Sequence, residues 1–434
     1  MRRDARSLFR HRQRDQNARR LQRHRNRQPC RQRLWCGLWD GTRRSCRQGV
    51  PHRPSGQHDR CDGAIRHRHG GNVHGRSGTG YQTRLRRGGG ARPLPPHDRT
   101  SIAGRSVMKD LDMYIPTYDD VIAAHARIAP HIHRTPVLTS SYLDDLIGAQ
   151  LFFKCENFQK AGAFKVRGAS NAVFGLSDAD AARGVCTHSS GNHALSLSYA
   201  AGRRGIPCNV VMPRTAPDAK KAAVRGYGGI ITECEPSTTS REEVFAQVQA
   251  RTGGDFVHPY NDPRVIAGQA TCSREFMEQT DGLDMMVAPI GGGGMISGTC
   301  LTLSHIAPEV QIIASEPQQS DDAYRSFKAG HIIADDAPVT VADGLKVPLK
   351  DLTWHFVSNH VTDIFTATEA EIIAAMKLTW ERMKIVIEPS CAVPLATIIK
   401  NRDFFKGKRI GVIITGGNVD LDKLPWMQGE GSTT

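Results

Sequence analysis

Residues 1–107 contain no lysine and no glutamate, although they hold 27 arginines. With only 6 aspartates the segment carries a balance of +21. A chain of formal net charge +15 is therefore mildly acidic, at −6, from Met108 onward. Apolar periodicity is also missing there, and a stretch rich in Arg, Gly, His and Gln cannot bury enough surface to offset the entropy of folding. A nucleic-acid-binding arm would mix Lys with Arg, and the acidic remainder offers it no second basic face. A transit peptide would be shorter and amphipathic. Arginine codons are GC-rich and lysine codons AT-rich. The expectation is GC-rich DNA read in the wrong frame, with initiation at Met108 or Met113. Native peptides from residues 1–100, found by mass spectrometry, would overturn it.

Other absences narrow the class further. No run of eighteen apolar residues is present, which excludes a transmembrane helix, and the start lacks the apolar core of a secretory signal. Four of the 11 cysteines lie in the Arg-rich segment; the other seven are scattered, with no CxxC pair. That pattern fits buried thiols in a reducing cytoplasm better than disulfides or zinc. No internal repeat stands out, and the small polar tail Gln428 to Thr434 is expected to fray.

From Tyr114 the composition is that of a globular protein. Thr117-Tyr-Asp-Asp120 is a capping-box signature, and the helix it opens should stop before Pro130. Strand-like runs follow at Leu151–Phe153, Gly184–Thr187, Cys208–Met212, Gly229–Cys234, Met285–Ile290, Gln311–Ser315 and Arg409–Thr415. Helical runs lie between them, near 164–176, 192–203, 217–226, 240–252, 263–279, 294–306, 368–384 and 391–400. Such alternation predicts an α/β fold of mostly parallel sheets flanked by helices, and the length predicts two lobes with a cleft between them.

Three clusters sit where strands run into helices and a fourth where a strand ends, at the carboxyl edge where such sheets bind ligands. In Ala163-Phe-Lys-Val-Arg-Gly168, Lys165 falls in the first turn of a helix, where desolvation would leave a neutral amine able to attack a carbonyl carbon. A lone lysine there would ordinarily be solvated. Ser189-Ser-Gly-Asn-His193 opens another helix, and its amides, hydroxyls and amide side chain would cradle a carboxylate, or simply cap the helix. Gly291-Gly-Gly-Gly-Met295 leaves backbone N–H groups free to wrap an anion. It lacks the Gly-Lys-Ser/Thr ending of a nucleotide loop, so a cofactor phosphate fits better. Thr415-Gly-Gly-Asn-Val419 ends a strand, where a hydroxyl could meet a ring nitrogen. A fifth cluster, Glu316-Pro-Gln-Gln-Ser-Asp-Asp322, offers Glu316, Asp322 and the Ser320 carbonyl to a hard divalent cation, or is a solvated acidic turn.

In order and spacing these motifs resemble the serine/threonine dehydratase and serine racemase family, pyridoxal-phosphate enzymes of fold type II. The resemblance runs from about Tyr114 to Trp426 and excludes residues 1–107. It implies two open twisted sheets, with 114–183 and 262–428 as the large cofactor-binding domain and 184–261 as the small one. It implies that Lys165 joins the aldehyde of pyridoxal 5'-phosphate, that Phe164 packs beside the ring, and that Asn192 bonds the ring oxygen. Gly291, Gly292, Gly293, Gly294 and Met295 would hold the phosphate, and Thr415 would contact the ring nitrogen. Ser189, Asn192 and His193 would bind the substrate carboxylate. Ser190 matches the racemase acid/base on the opposite ring face. Glu316, Ser320 and Asp322 match the family's site for Mg, Mn or Ca, and a homodimer is the usual assembly.

The chemistry follows. Freed Lys165 takes the Cα proton. A Thr415 hydroxyl supplies no negative charge to keep the ring nitrogen protonated, so carbanion character is relieved by expelling a β-hydroxyl. The expected reaction is dehydration and deamination of a β-hydroxy-α-amino acid to a 2-oxo acid and ammonia. Arg241 aligns with a racemase position able to reach a second carboxylate, which tilts the reading to 3-hydroxyaspartate over serine or threonine, unless it is a surface helix residue. Serine racemisation is the alternative. Pro389-Ser-Cys-Ala392, where racemases usually have Thr-Ala-Gly, and Ala194-Leu-Ser, in place of the usual Gly/Ala-Gln, depart from the racemase pattern. Loss of Lys165 would have signalled a binding module of the same fold, as would loss of the phosphate loop; both are present.

Overall fold

The computed structural model describes residues 113–334 and 338–427. The Arg-rich segment and the tail expected to fray lie outside the described residues. Ten strands are present among those described: β1 (Val137–Leu138), β2 (Gln150–Cys155), β3 (Val185–His188), β4 (Cys208–Pro213), β5 (Ile230–Cys234), β6 (Asp255–Phe256), β7 (Met285–Pro289), β8 (Gln311–Pro317), β9 (Asp363–Ala367) and β10 (Arg409–Ile414). They form a six-stranded sheet of order β1-β2-β10-β7-β8-β9 and a four-stranded sheet of order β5-β4-β3-β6. All pairings are parallel except β1 with β2. The reading of an α/β fold with mostly parallel sheets flanked by helices holds. The runs expected to be strands are strands, and β1, β6 and β9 are additions that the sequence pattern did not suggest.

The large sheet is covered on both faces, as parallel sheets are. Along β10, Ile410, Val412 and Ile414 enter one apolar cluster with Leu151, Phe153 and Ile398. Ile413 points into the other, with Phe276, Met286 and Ile296. This period of two follows from the pleat. Each fully buried Leu, Ile or Phe in these clusters contributes about 1.5–3 kcal/mol. The four-stranded sheet has its own core around Val185, Leu197, Val210 and Met212.

Helix Tyr118–Ile128 starts as expected, with the Asp120 carboxylate accepting from Thr117 N at 2.8 Å. Helices Lys165–Phe174 and Pro263–Glu278 cross at two glycines: a Cβ on Gly268 would lie 2.6 Å from the Cα of Gly168. That close approach explains the glycine that ends the Lys-Val-Arg-Gly string. The crossing clamps the helix that begins with Lys165. Helices Ser141–Ile147, Asp178–Arg183, Asp322–Ala329, Asp351–His360 and Arg402–Phe405 were not anticipated. All seven cysteines among the described residues are free and buried. No described helix is long and apolar enough to cross a membrane.

Candidate active site

Lys165 is the first residue of its helix. Its Nζ donates to the Pro259 carbonyl at 2.8 Å and lies 5.0 Å from the centre of the Phe164 ring. Desolvation of the amine brings its pKa down to about 8, with the Glu388 carboxylate pulling it back up. A lysine so placed gives up its proton more readily than a solvated one. Phe164 N donates to the Thr415 carbonyl at 2.9 Å, and Ala163 bridges to Gly416, so the end of β10 is fastened to the start of the lysine helix.

The glycine run opens helix Gly294–Ile306. Its first backbone bond runs from Ser297 N to Gly293 O at 2.8 Å, so the amides ahead of it are left for an outside acceptor. Gly293 has a φ of +84°, where side chains are strained. A Cβ on Gly292 would lie 2.6 Å from the Tyr260 ring, and one on Gly291 2.7 Å from the Cα of Leu345. Buried amides at a helix start, in a cradle that a Cβ would fill, fit a phosphate.

Helix Asn192–Arg204 begins after Gly191 with no side-chain cap, which leaves its first amides open. Ser189 Oγ accepts from Gly191 N at 3.3 Å, and Ser190 is half-buried beside it. His193 is turned elsewhere: its Nε2 donates to the Val257 carbonyl at 3.0 Å. Burial brings its pKa down to about 3, so the buried Nδ1 is a bare acceptor without a partner. The ring cannot donate to a carboxylate in this arrangement; the His193 backbone N–H can. Asn192 is likewise engaged, donating through Nδ2 to both oxygens of Glu388 at 2.9 and 3.0 Å.

Sequence reasoning missed the segment Val257-His-Pro-Tyr-Asn261, which touches the lysine, serine and glycine clusters. The Val257 carbonyl accepts from Thr187 Oγ1 at 3.0 Å as well as from His193. Pro259 holds Lys165, and Tyr260 packs on the glycine run. His258 Nδ1 accepts from Tyr260 N and Asn261 N at 3.2 and 2.9 Å, which leaves its proton on Nε2. Its ring stands edge-on to His188, at 6.2 Å between centroids. Arg241 is half-buried, and its buried Nε has no hydrogen-bond partner. Burial and then the Arg241 charge hold His188 below its usual range. A guanidinium near the His188 imidazole, without a carboxylate bonded to it among the described residues, suits an anion from outside.

Glu316 and Ser320 are fully buried, and Asp322, 2% exposed, is nearly so. Burial, then Asp322, push the Glu316 acid well above the usual carboxylate range, although it accepts from Ala323 N and Tyr324 N. Two crowded carboxyls of this kind fit a cation that would neutralise them. Among the described residues no group of three or more His, Cys, Asp and Glu could hold a metal ion, so the set would have to be completed by carbonyls and water. Ser320 Oγ donates to the Leu345 carbonyl, which ties this turn to the loop against Gly291.

A family model described as pyridoxal-phosphate dependent enzyme matches residues 128–416. The beta-hydroxyaspartate dehydratase of Paracoccus denitrificans is 77% identical over 314 residues, covering 72% of this chain and 100% of that protein. The serine racemase of Dictyostelium discoideum is 46% identical over 312 residues, covering 71% and 96%. The solved structure of maize serine racemase superposes with a TM-score of 0.70 at 45% identity, over 72% of this chain and 97% of that one.

Proposed function

We propose that this chain, which belongs to the family of pyridoxal-phosphate dependent enzymes and is a dehydratase of that family, acts on 3-hydroxyaspartate and releases ammonia and a 2-oxo acid. One observation carries the substrate: Arg241, half-buried and close enough for its charge to act on His188, has no carboxylate partner among the described residues. The dehydratase name of the 77% identical relative supports it.

Pyridoxal phosphate supplies the aldehyde that takes up the substrate amine and the ring that draws electrons from Cα. Lys165 would be joined to it, Phe164 would lie beside the ring and Thr415 against its nitrogen, and Gly291 to Met295 would hold the phosphate. The amides at Asn192 and His193, with Ser189, bind the α-carboxylate, and Arg241 binds the second one. Lys165, a neutral amine above about pH 8, removes the Cα proton. The β-hydroxyl leaves as water, and water returns when the imino acid hydrolyses, so the net products are the 2-oxo acid and ammonia. By its resemblance to the racemase loop Ser190 would lie on the face opposite Lys165, and a proton returned from there would give racemisation instead.

The test is ammonia release from both diastereomers of 3-hydroxyaspartate, L-serine and L-threonine, with the chirality of the remainder measured. Hydroxyaspartate is expected to lead. Arg241→Ala is expected to lower its kcat/KM by about 10²-fold, the scale of a lost charge-pair partner, while serine turnover falls far less. Equal losses for both substrates, or serine turnover with D-serine accumulating, would move the reading to a racemase.

Glu316, Asp322 and the Ser320 carbonyl are our choice for a divalent cation. Mg²⁺ is expected to raise the melting temperature of the wild type and not of Glu316→Gln; equal shifts in both would remove that site. We read 114–183 and 262–428 as the large lobe, 184–261 as the small one, and the assembly as a cytoplasmic homodimer. Light scattering would check the assembly.

A further inference from the structure

A buried carboxylate at the centre of this constellation has been given no role. Glu388 caps helix Pro389–Lys400 and is 4% exposed. Both its oxygens accept from the Asn192 amide. Asn192 Oδ1 accepts in turn from Asn418 Nδ2 at 2.9 Å, and that nitrogen also donates to the Ala161 carbonyl. The Asn192 amide is thus clamped, nitrogen toward Glu388 and oxygen toward Asn418. Gly416 backs onto the carboxylate, where a Cβ would lie 2.6 Å from Glu388 Oε1. Glu388 therefore touches the asparagine of one cradle loop and the glycine after Thr415 in another, while its charge reaches Lys165.

Among the described residues no lysine or arginine forms an ion pair with it. Desolvation, and then the Asp343 charge, push its acid up to about 7. A buried carboxyl without a cation is costly. A glutamine would accept the same amide hydrogen without that cost, so hydrogen bonding alone does not account for an acid here.

We propose that Glu388 is a positioning residue for the reaction: its carboxylate orients the Asn192 amide in the cofactor cradle, and its negative charge makes the free Lys165 amine readier to take up a proton. The role rests on the reading of Lys165 and Asn192 given above. The other groups facing Glu388 are Asp343 of the turn Asp343–Leu345, Lys220 of helix Asp218–Gly226 bonded to Asp343, and the Cys391 thiol, which donates to the Glu388 and Gly416 carbonyls. Those near Lys165 are Glu388 and the neutral rings of His193 and His258.

The experiment follows acylation of Lys165 against pH in the cofactor-free full chain, with acetic anhydride as the probe and mass spectrometry of the Lys165 peptide as the readout. Wild type should show a midpoint near 8. Glu388→Gln should move it to lower pH by about one pH unit, the scale of a lost opposite charge nearby, and Glu388→Asp should stay near wild type. In the loaded enzyme the rising limb of ammonia release against pH should shift the same way in Glu388→Gln. Because a buried charge has been removed, that variant should melt no lower than wild type at pH 8, which separates the effect from misfolding. An unmoved midpoint in Glu388→Gln, or equal shifts in Gln and Asp variants, would overturn the proposal. Retention of the cofactor's visible band in Lys165→Ala would instead sink the underlying site reading, whatever Glu388→Gln does.

Discussion

Lys165→Ala is expected to lower ammonia release by about 10⁴-fold and to abolish the visible absorbance of the cofactor-loaded protein. Both effects come from one atom. Nζ is fixed by the Pro259 carbonyl at 2.8 Å and lies 5.0 Å from the centre of the Phe164 ring. Two other lysines are held by partners: Lys154 is locked in an ion cluster and Lys220 is bonded to Asp343. The amine is useful because desolvation brings its pKa to about 8. Its folded value lies below the ordinary one, so the base form grows as pH rises toward 8, and wild-type turnover should rise over the same range. A Lys165→Ala enzyme within tenfold of wild type would end this account of the chemistry.

Arg167→Met is expected to destabilise the protein by about 3–5 kcal/mol at neutral pH, the usual result of removing one member of a buried ionic cluster. Arg167 is fully buried two residues after Lys165. Its Nε and Nη2 donate to Glu156 at 2.8 Å each, and Nη1 and Nη2 to Glu275 at 3.0 and 2.8 Å. Lys154 Nζ donates to Glu275, to Gln279 and to the Thr135 carbonyl. Two cations balance two carboxylates. Without Arg167, one lysine faces both. Burial alone would raise the Glu275 acid, but the Arg167 hydrogen bonds and charge outweigh it and hold the pKa down to about 2. A folded pKa below the unfolded one stabilises above the unfolded value near 4.5 and is lost as pH falls toward 2. The gap between wild type and variant in urea melts should therefore be widest near pH 7 and shrink between pH 5 and 2. A loss under about 1 kcal/mol would mean that the cluster nearly balances its own desolvation.

The parts of the site legible in the sequence were those written as contiguous strings. Ser189 to His193 and the four glycines each break a strand-to-helix pattern in place, Thr415 to Asn418 follows the end of a strand, and small polar residues there have few other uses. Lys165 could be placed near a helix start because the apolar strand Leu151–Phe153 runs into polar residues and a glycine ahead of it. What stayed hidden depends on pairs distant in the chain. Glu388 follows Ile387 and precedes Pro389, and so reads as an ordinary helix start; only folding brings it to Asn192, 196 residues away. Arg167 and Glu275 are separated by 108 residues. His258 and Pro259 sit in a short irregular stretch whose use is its backbone. The strands β1 and β6 have two residues each, too few for any alternation to register. His193 was legible as a residue of the site but not in its orientation, because the Val257 carbonyl that turns its ring lies 64 residues on.

The order of strands in the large sheet bears on how the polypeptide reaches this state during synthesis. β10 is the latest strand in the chain, yet it lies between β2 and β7, in register with both through Val412, Phe153 and Val287. The four-stranded sheet is built wholly from residues between β2 and β7, so it can form on the ribosome while the larger sheet still has a gap at its centre. Until β10 emerges, the β2 and β7 edges are bare and open to mispairing. Thr415 and Gly416 arrive with β10 and close against Phe164 and Ala163. Assembly of the cofactor cleft is thereby tied to the last pairing step, and a nascent chain stalled before β10 would expose strand edges for chaperones to cover while lacking the cleft.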